Sequence, residues 1–235
     1  MVQDSQNFSL DGVPLLASLT AVERGELARQ CRWRRYGAGE HIIDGQSDSR
    51  DVYFVIEGMV RVVNYSVSGR EVALDDIGPG GYFGELAALD GGPRSAFVLA
   101  QGGEALTAAM PCEVFLNLLS NKAQVGLLIM RRLARVIRQG TERIMDLSTL
   151  GANNRVHAEL LRQARLISSD DKTAVLQPIP VHSDIASRVS TTRETVARVL
   201  NELARAGVVE RRKDALVILD MAELEQLVED VRGGA

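Results

Sequence analysis

From Gly126 to Leu147, small and apolar residues recur at alternating steps of four and three: Gly126, Met130, Leu133, Ile137, Gly140, Ile144 and Leu147. Arg131, Arg132, Arg135, Arg138, Glu142 and Arg143 lie between them. A helix buried on a globular core carries a broader apolar stripe, whereas one only two positions wide per heptad is the seam of a helix lying along another helix. The spacing predicts one long helix over 112–149 and pairing of the chain with a second copy through that seam. The alternative is a helix that lies on its own domain. Gly126 and Gly140 would weaken the zipper or let two backbones approach closely.

Such a helix leaves a stretch on each side long enough to build its own core. Of the 235 residues, 46% are hydrophobic and 25% charged, which is a globular composition and excludes a disordered chain. No run of 18 apolar residues occurs, so no membrane span and no membrane partner are expected. The first twenty residues hold no Lys or Arg and lack the basic start of a signal peptide. Cys31 and Cys112 are too few for a disulfide scaffold or a four-thiolate cluster, which points to a reducing, cytoplasmic setting. His41, His157 and His182 are scattered, and surface or cap positions are expected for them. Without clustered metal ligands or a poised acid and base, an enzyme such as a phosphodiesterase is disfavoured and no metal is expected.

Residues 40–110 read as β structure. Asp51–Val63 is two β-rich runs split by Glu57-Gly58, a hairpin signal, and Arg70–Leu74 continues the pattern after Ser68-Gly69. Gly- and Pro-rich turns followed by a further strand suggest a small barrel or sandwich. Ala21–Arg35 looks helical, with Thr20 and Glu23 forming a capping box. Beyond the long helix, Val156, Leu160, Leu161, Ala164 and Leu166-Ile167 mark another helix, and 168–180 reads as a loop. Two short helices, a hairpin-like segment at 208–219 and a last helix capped by Asp220 follow. The expected division is 1–111, 112–150 and 151–235.

The net charge of −4 argues against an anionic partner only as an average. Residues 1–110 carry 9 basic and 15 acidic side chains, while 151–213 carry 11 and 7. A regional anionic partner is compatible with that asymmetry, although charged helix faces are commonly just solvated.

The run Phe83 to Ala96 has a chemistry of its own. Gly84 lets backbone approach a ligand, and Glu85–Leu89 is a short helical run whose first N–H groups can face an anion. Arg94 supplies a permanently charged planar fork for phosphate oxygens, Ser95 a hydroxyl, and Glu85 an acceptor for a ribose hydroxyl. The bland alternative is a turn in which Glu85 and Arg94 pair with each other. The whole run resembles the phosphate-binding cassette of cyclic nucleotide-binding domains, in its Gly-Glu-Leu-Ala opening, the ten-residue step from Gly84 to Arg94, and the Pro-Arg-Ser-Ala close. The resemblance implies that Glu85 binds the ribose hydroxyl, Arg94 the cyclic phosphate with Ser95 in support, and that Gly84 and Leu86 contribute backbone.

Residues 182–207 read as a helix-turn-helix. Ser183 or His182 can cap the first helix, Ile185, Ala186 and Val189 line its inner face, and Ser190-Thr191 makes the turn. Thr192 caps the second helix, whose packed stripe is Val196, Val199, Leu200 and Leu203, with Gly207 as its stop. Arg193, Glu194, Thr195 and Arg198 are then left near the end that enters a major groove. Arg matches guanine, Glu can accept from cytosine, and Thr192 and Thr195 suit phosphates. Ser183 is a further DNA candidate, and Arg211, Arg212 and Lys213 sit at the hairpin tip, where a wing reaches the DNA backbone. A hairpin of helices with solvated charges is the bland alternative.

The run Arg-Glu-Thr-Val-Ala-Arg-Val-Leu resembles the recognition helix of the Crp-Fnr family of bacterial transcription regulators, the cyclic AMP receptor protein and its relatives. In order with the cassette and the seam, the resemblance covers nearly the whole chain. It implies an α+β architecture: a jelly-roll-like N-terminal β-roll that binds cyclic AMP or cyclic GMP, a long dimerisation helix, and a C-terminal winged helix-turn-helix. It further implies a homodimer, double-stranded DNA with a TGTGA-like half-site read by Arg193, Glu194 and Arg198, and RNA polymerase as a further partner. Ser190 stands where many members carry Gly, and Lys213-Asp214 lacks the wing's expected Gly. Where the family holds adenine with a Thr-Ser pair, aligning on Arg131-Arg132-Leu133 puts Val136 and Ile137, with Thr141 one turn on and Arg132 near the nucleotide. The base contact therefore differs or the base differs. Some relatives hold haem or iron–sulfur clusters, for which this chain lacks the ligands. A nucleotide-gated module without DNA binding, or a different effector, are the competing readings.

Overall fold

The computed structural model describes residues 8–45, 47–67, 69, 71–167 and 172–232. Packing divides the chain inside the long helix, between Arg135 and Val136.

In the first unit, Thr20 and Glu23 form the capping box: the Thr20 hydroxyl accepts the Glu23 N–H at 3.3 Å and the Glu23 carboxylate accepts the Thr20 N–H at 2.8 Å. They open α1 (Ala21–Gln30). Among the described residues eight strands follow: β1 (Arg32–Tyr36), β2 (His41–Ile43), β3 (Val52–Glu57), β4 (Val60–Tyr65), β5 (Glu71–Ile77), β6 (Tyr82–Phe83), β7 (Phe97–Ala100) and β8 (Ala105–Met110), with α2 (Glu85–Asp90) between β6 and β7. They form two four-stranded antiparallel sheets, ordered β1-β8-β3-β6 and β2-β7-β4-β5.

β3 and β4 are not a hairpin, contrary to the Glu57-Gly58 signal: they belong to different sheets. Gly58 is the corner at which the chain changes sheet. Its φ is +76°, and a Cβ there would lie 2.1 Å from the Glu104 carbonyl oxygen, so the crossing strand ends pack too closely for any side chain. The turn expected at Ser68-Gly69 involves Ser68 and Arg70, which lie outside the described residues; β5 starts at Glu71.

β3 is apolar on both faces because both are covered. Tyr53 and Val55 join the core between the sheets with Ile43, Val60, Phe83 and Val98. Val52 and Phe54 face Leu10, Leu16, Phe115, Leu118, Val125 and Ile129 in a second core.

The segment 112–149 is two helices, α3 (Cys112–Asn121) and α4 (Ala123–Thr149), in place of the one expected. Lys122 interrupts them with φ −129° and ψ 83°. Phe115, Leu118, Val125 and Ile129 are all buried, so an unbroken helix would turn position 122 into the same apolar stripe. A lysine cannot stay there ionised without a partner. The break carries its ammonium to the Glu23 carboxylate. On α4, Val125 and Ile129 face the β-roll, while the seam residues Met130, Ile137, Ile144 and Leu147 are exposed.

The second unit contains α5 (Ala152–Ile167), β9 (Ala174–Leu176), α6 (His182–Arg188), α7 (Arg193–Arg205), β10 (Val209–Arg211), β11 (Leu216–Ile218) and α8 (Met221–Arg232). The stretch expected to be a loop thus holds β9, which pairs with β11 in a sheet ordered β10-β11-β9; residues 168–171 of that stretch lie outside the described residues. Ala174 and Leu176 point inward and Val175 outward, a strand of only three residues whose period is too short to read. Asp220 caps α8 through the Glu223 N–H at 2.9 Å. Gly207, φ +75°, stops α7, and the Val208 N–H returns to the Leu203 carbonyl at 3.0 Å.

Gly58→Ala should cost about 2 kcal/mol or more, because strain from the left-handed backbone and the clash add. Gly102→Ala, with φ +73° but nothing within 4 Å of its Cβ, should cost about 1 kcal/mol. Urea midpoints of the two variants measure the difference.

Candidate functional site

The Gly-Glu…Arg-Ser cassette folds around one cation. Gly84 adopts φ +85°, and a Cβ there would come 2.7 Å from an Arg94 Nη and 2.9 Å from the Asp51 carbonyl oxygen. α2 begins at the next residue. Arg94 is 7% exposed, and its guanidinium donates to the Gly84 carbonyl, the Ser49 hydroxyl and the Asp51 carbonyl, each at 2.9 Å. Its Nε is buried without a hydrogen-bond partner. The Tyr53 ring centroid lies 5.8 Å from the guanidinium carbon. No ion pair joins Arg94 to Glu85, so the bland alternative of a self-paired turn does not describe this site. The Asp51 carboxylate is engaged by Arg32. Burial pulls the Arg94 pKa below its ordinary value.

Glu85 is 8% exposed, and its carboxyl pKa is raised by burial. Its own backbone N–H, Arg132 and Arg94 act in the opposite sense, and Asp75 adds to the rise. Arg132 stacks over the Tyr82 ring at 4.3 Å and lies 4.0 Å from the Asp75 carboxylate. Gly84, Glu85, Arg94 and Arg132 are therefore one neighbourhood of the first unit. Ser95 is exposed beside it, its carbonyl accepting from Asn64 Nδ2 at 3.1 Å, and Leu86 is partly exposed. Val136, Ile137 and Thr141 belong to the second unit and are exposed on α4; the Thr141 hydroxyl donates to the Ile137 carbonyl at 3.0 Å.

A cation buried among neutral acceptors, with an unsatisfied donor and a neighbouring buried carboxylate, fits a ligand that carries one negative charge and a hydroxyl group. The residues present thus suit a ribose cyclic phosphate. Ser49, Asp51 and Tyr53 were not legible as part of this site, because they contribute a loop hydroxyl, a main-chain carbonyl and a ring from a distant strand. Tyr82, the platform under Arg132, lies just ahead of the cassette and gave no signal beyond its β-rich neighbourhood.

The second constellation is the helix-turn-helix. Thr192 is the N-cap of α7, its hydroxyl accepting the Thr195 N–H at 3.2 Å, as expected. Val196, Val199 and Leu203 are buried beneath it. α6 is not capped by His182 or Ser183: the N-cap position is Val181, with no side-chain bond, and both residues fall in the first turn. The helix starts one residue earlier than the polar pair suggests because the Val181 carbonyl already accepts the Asp184 and Ile185 N–H groups. Ser190 takes φ +52°, the left-handed conformation for which glycine would be unstrained. The turn is held instead by Arg155 of α5, whose guanidinium donates to the carbonyls of Val189 at 2.8 Å, Ser190 at 3.2 Å and Leu150 at 2.9 Å.

Arg193, Glu194, Arg198 and Thr192 are exposed and Thr195 half-buried at the start of α7, with Ser183 exposed on α6. Arg193 makes no ion pair or hydrogen bond among the described residues, whereas Arg198 is tied to Asn153 at 2.9 Å and Glu202 at 3.3 Å. Arg211, Arg212 and Lys213 are exposed on a tight hairpin, closed without glycine by the Arg212 N–H to the Ala215 carbonyl at 2.8 Å; the Arg212 side chain meets Glu210 at 2.9 Å. Burial, Arg211 and Arg193 together push the His182 pKa down, which marks a concentrated positive field there.

Two family models match the chain: the cyclic nucleotide-binding domain over residues 33–122 and the Crp-like helix-turn-helix domain over 154–227. The chain is 33% identical to the cyclic AMP receptor protein of Thermus thermophilus, across 93% of this chain and 98% of that one. It is 32% identical to the transcriptional regulator SdrP of the same organism, across 83% and 93%. Among solved structures, a mutant of CooA from Carboxydothermus hydrogenoformans superposes with a TM-score of 0.79 over 92% of this chain and 95% of that one, at 21% identity, a likeness of fold. Among the described residues no helix is long and apolar enough to cross a membrane, and no group of three or more His, Cys, Asp or Glu is arranged to hold a metal.

Glu85→Gln should show the cost of the buried carboxyl. A carboxyl whose folded pKa is raised destabilises the fold increasingly as pH rises from its unfolded value through its folded one. The variant should therefore gain stability over the parent at pH 7 relative to pH 4, measured by urea unfolding at the two pH values; an equal difference at both would contradict the shift.

Proposed function

Because the chain belongs to the Crp-Fnr family of transcription regulators, DNA-binding proteins with a cyclic nucleotide-binding domain ahead of a helix-turn-helix, we propose that it is a dimeric regulator switched by a 3′,5′-cyclic purine nucleotide. The observation that carries the reading is Arg94: a buried guanidinium facing neutral acceptors, beside a buried Glu85. In this reading Arg94 and Ser95 hold the cyclic phosphate, Glu85 the ribose 2′-hydroxyl, and Gly84 and Leu86 offer backbone. For the base it assigns Arg132 and, further along α4, Val136, Ile137 and Thr141. When bound, the nucleotide supplies the negative charge that Arg94 lacks among its present partners. Val136 and Ile137 carry no hydrogen-bonding group, so cyclic GMP, whose amino group can meet Ser95 or Thr141, stands beside cyclic AMP as effector.

Exposure of Met130, Ile137, Ile144 and Leu147 supports pairing of two copies through α4. Arg193, Glu194 and Arg198 then read base edges, Thr192, Thr195 and Ser183 accompany them, and Arg211, Arg212 and Lys213 meet phosphates. Two recognition helices fit one palindromic site when about 34–36 Å apart, and the effector acts by favouring that spacing. The protein works in the cytoplasm, with RNA polymerase as the further partner, and acts by binding and not by turnover.

Calorimetry of the full chain with cyclic AMP and cyclic GMP tests the pocket. At least one should bind with Kd well below millimolar, which is worth about 4 kcal/mol, and Arg94→Gln should weaken it tenfold or more. Binding of neither overturns the pocket.

For DNA, Arg193→Ala should lose about 1–3 kcal/mol on a TGTGA-like palindrome and far less on random duplex, while Arg212→Ala weakens both alike. Fluorescence anisotropy at fixed salt reads both, and equal losses for Arg193→Ala would remove it from the base-reading set.

A further inference from the structure

A chain of buried charges in the second unit has no place in the mechanism so far. Asp146, in the last turns of α4, and Glu159, on α5, have side chains only 7% and 2% exposed. Arg162 of α5 bridges them: one Nη lies 2.8 Å from the Asp146 carboxylate and the other donates to Glu159. Gln163 Nε2 also donates to Glu159, at 2.9 Å, and Arg188, the last residue of α6, approaches the same carboxylate at 3.9 Å. Arg155, one turn before Glu159, holds the carbonyls of Val189 and Ser190 at the start of the helix-turn-helix turn and that of Leu150, just past α4. The end of the long helix, α5 and α6 therefore share one ionic network, whose members line a small cavity with Arg143, Leu147 and Val189.

Two features make the network more than packing. Buried ion pairs contribute little net stability compared with apolar side chains of the same shape, but they fix geometry, because any displacement strands a charge. The network also joins α4, whose first half carries Arg132 beside the cassette, to the helix that precedes the recognition helix. We propose that Arg162 is a positioning residue: by bridging Asp146 and Glu159 it couples the setting of α4 to that of α6 and the turn before α7. Nucleotide-induced changes in α4 reach the DNA-reading helix by this route. The inference rests on the nucleotide-switched reading given above.

The test compares DNA affinity of the full chain with and without saturating cyclic AMP or cyclic GMP, for the parent and for Arg162→Gln. In the parent the nucleotide should raise affinity for the palindrome by about tenfold or more. In Arg162→Gln that gain should fall below about threefold, with nucleotide affinity itself changed by less than about threefold. A variant that loses DNA affinity equally in both states, keeping the ratio, has lost structure and not coupling, and overturns the proposal. A parent whose ratio is one, by contrast, overturns the nucleotide-switched reading and this inference with it. Should Arg162→Gln fail to fold, the double variant Asp146→Asn, Arg162→Gln removes both charges of that pair and is measured in its place. Hydrogen exchange on the nucleotide-free chain gives an independent reading. Asp146→Asn should speed exchange of the 189–195 amides by about tenfold and leave the 208–218 hairpin unchanged; no change, or an equal change in both, overturns the coupling.

Discussion

The first unit depends on a cation buried before anything neutralises it. Arg94 donates to two main-chain carbonyls and a hydroxyl, which satisfy most of its hydrogen-bonding capacity but none of its charge. Hydrogen bonds to neutral acceptors offset only part of the cost of removing a guanidinium from water. The fold accepts this at the point where Gly84, lacking a Cβ, lets the guanidinium lie against backbone. Glu85 feels the Arg94 charge without an ion pair to it and is buried in its turn. Two groups that would otherwise neutralise each other are kept available, which is the physical condition for binding a ligand that is anionic at one end and hydroxylic at the other.

α4 is where that condition meets the rest of the chain. Its first turns are committed to the β-roll through Val125 and Ile129, with Leu133 of the seam packed against the same core, while Met130, Ile137, Ile144 and Leu147 are exposed. A single helix cannot carry both faces and also continue smoothly from α3, since position 122 would be a lysine in the apolar stripe. The break at Lys122 resolves the conflict by giving the ammonium a carboxylate on α1. The break thereby makes α3 and α4 two separate helices.

What could be read from the sequence was local. The Thr20–Glu23 box, the Thr192 cap, the Gly207 stop and the Asp220 cap each depend on residues within four positions, and each forms as read. What could not be read was non-local or carried by backbone. Glu57-Gly58 has the residues of a hairpin, yet β3 pairs with β8, some fifty residues on, while β4 pairs with β5 and β7 in the other sheet. β9 is too short to show a period. Lys122 breaks a helix because of where Phe115 and Ile129 are buried, and Arg155 acts on three carbonyls that carry no side-chain signature. The cassette was legible in Glu85 and Arg94, but Ser49, Asp51 and Tyr53, which hold Arg94, come from outside it.

Charge shows the same division between a total and its placement. Many of the basic residues are spent in pairs: Arg24 with Asp11, Arg34 with Glu40, Arg61 with Asp76, Arg162 with Asp146. Such pairs cancel at short range and leave almost no field beyond a Debye length. Arg193 and Arg211 are not spent in this way among the described residues, and both press on His182, whose protonated form they disfavour. Burial is the larger cause of that downward shift, and the part added by the two arginines marks a local positive potential in a protein whose net charge is −4. Opposing charges that pair add nothing to the total, while the field a polyanion meets is set by the cations left unpaired and by their clustering at the start of α7 and the tip of the hairpin.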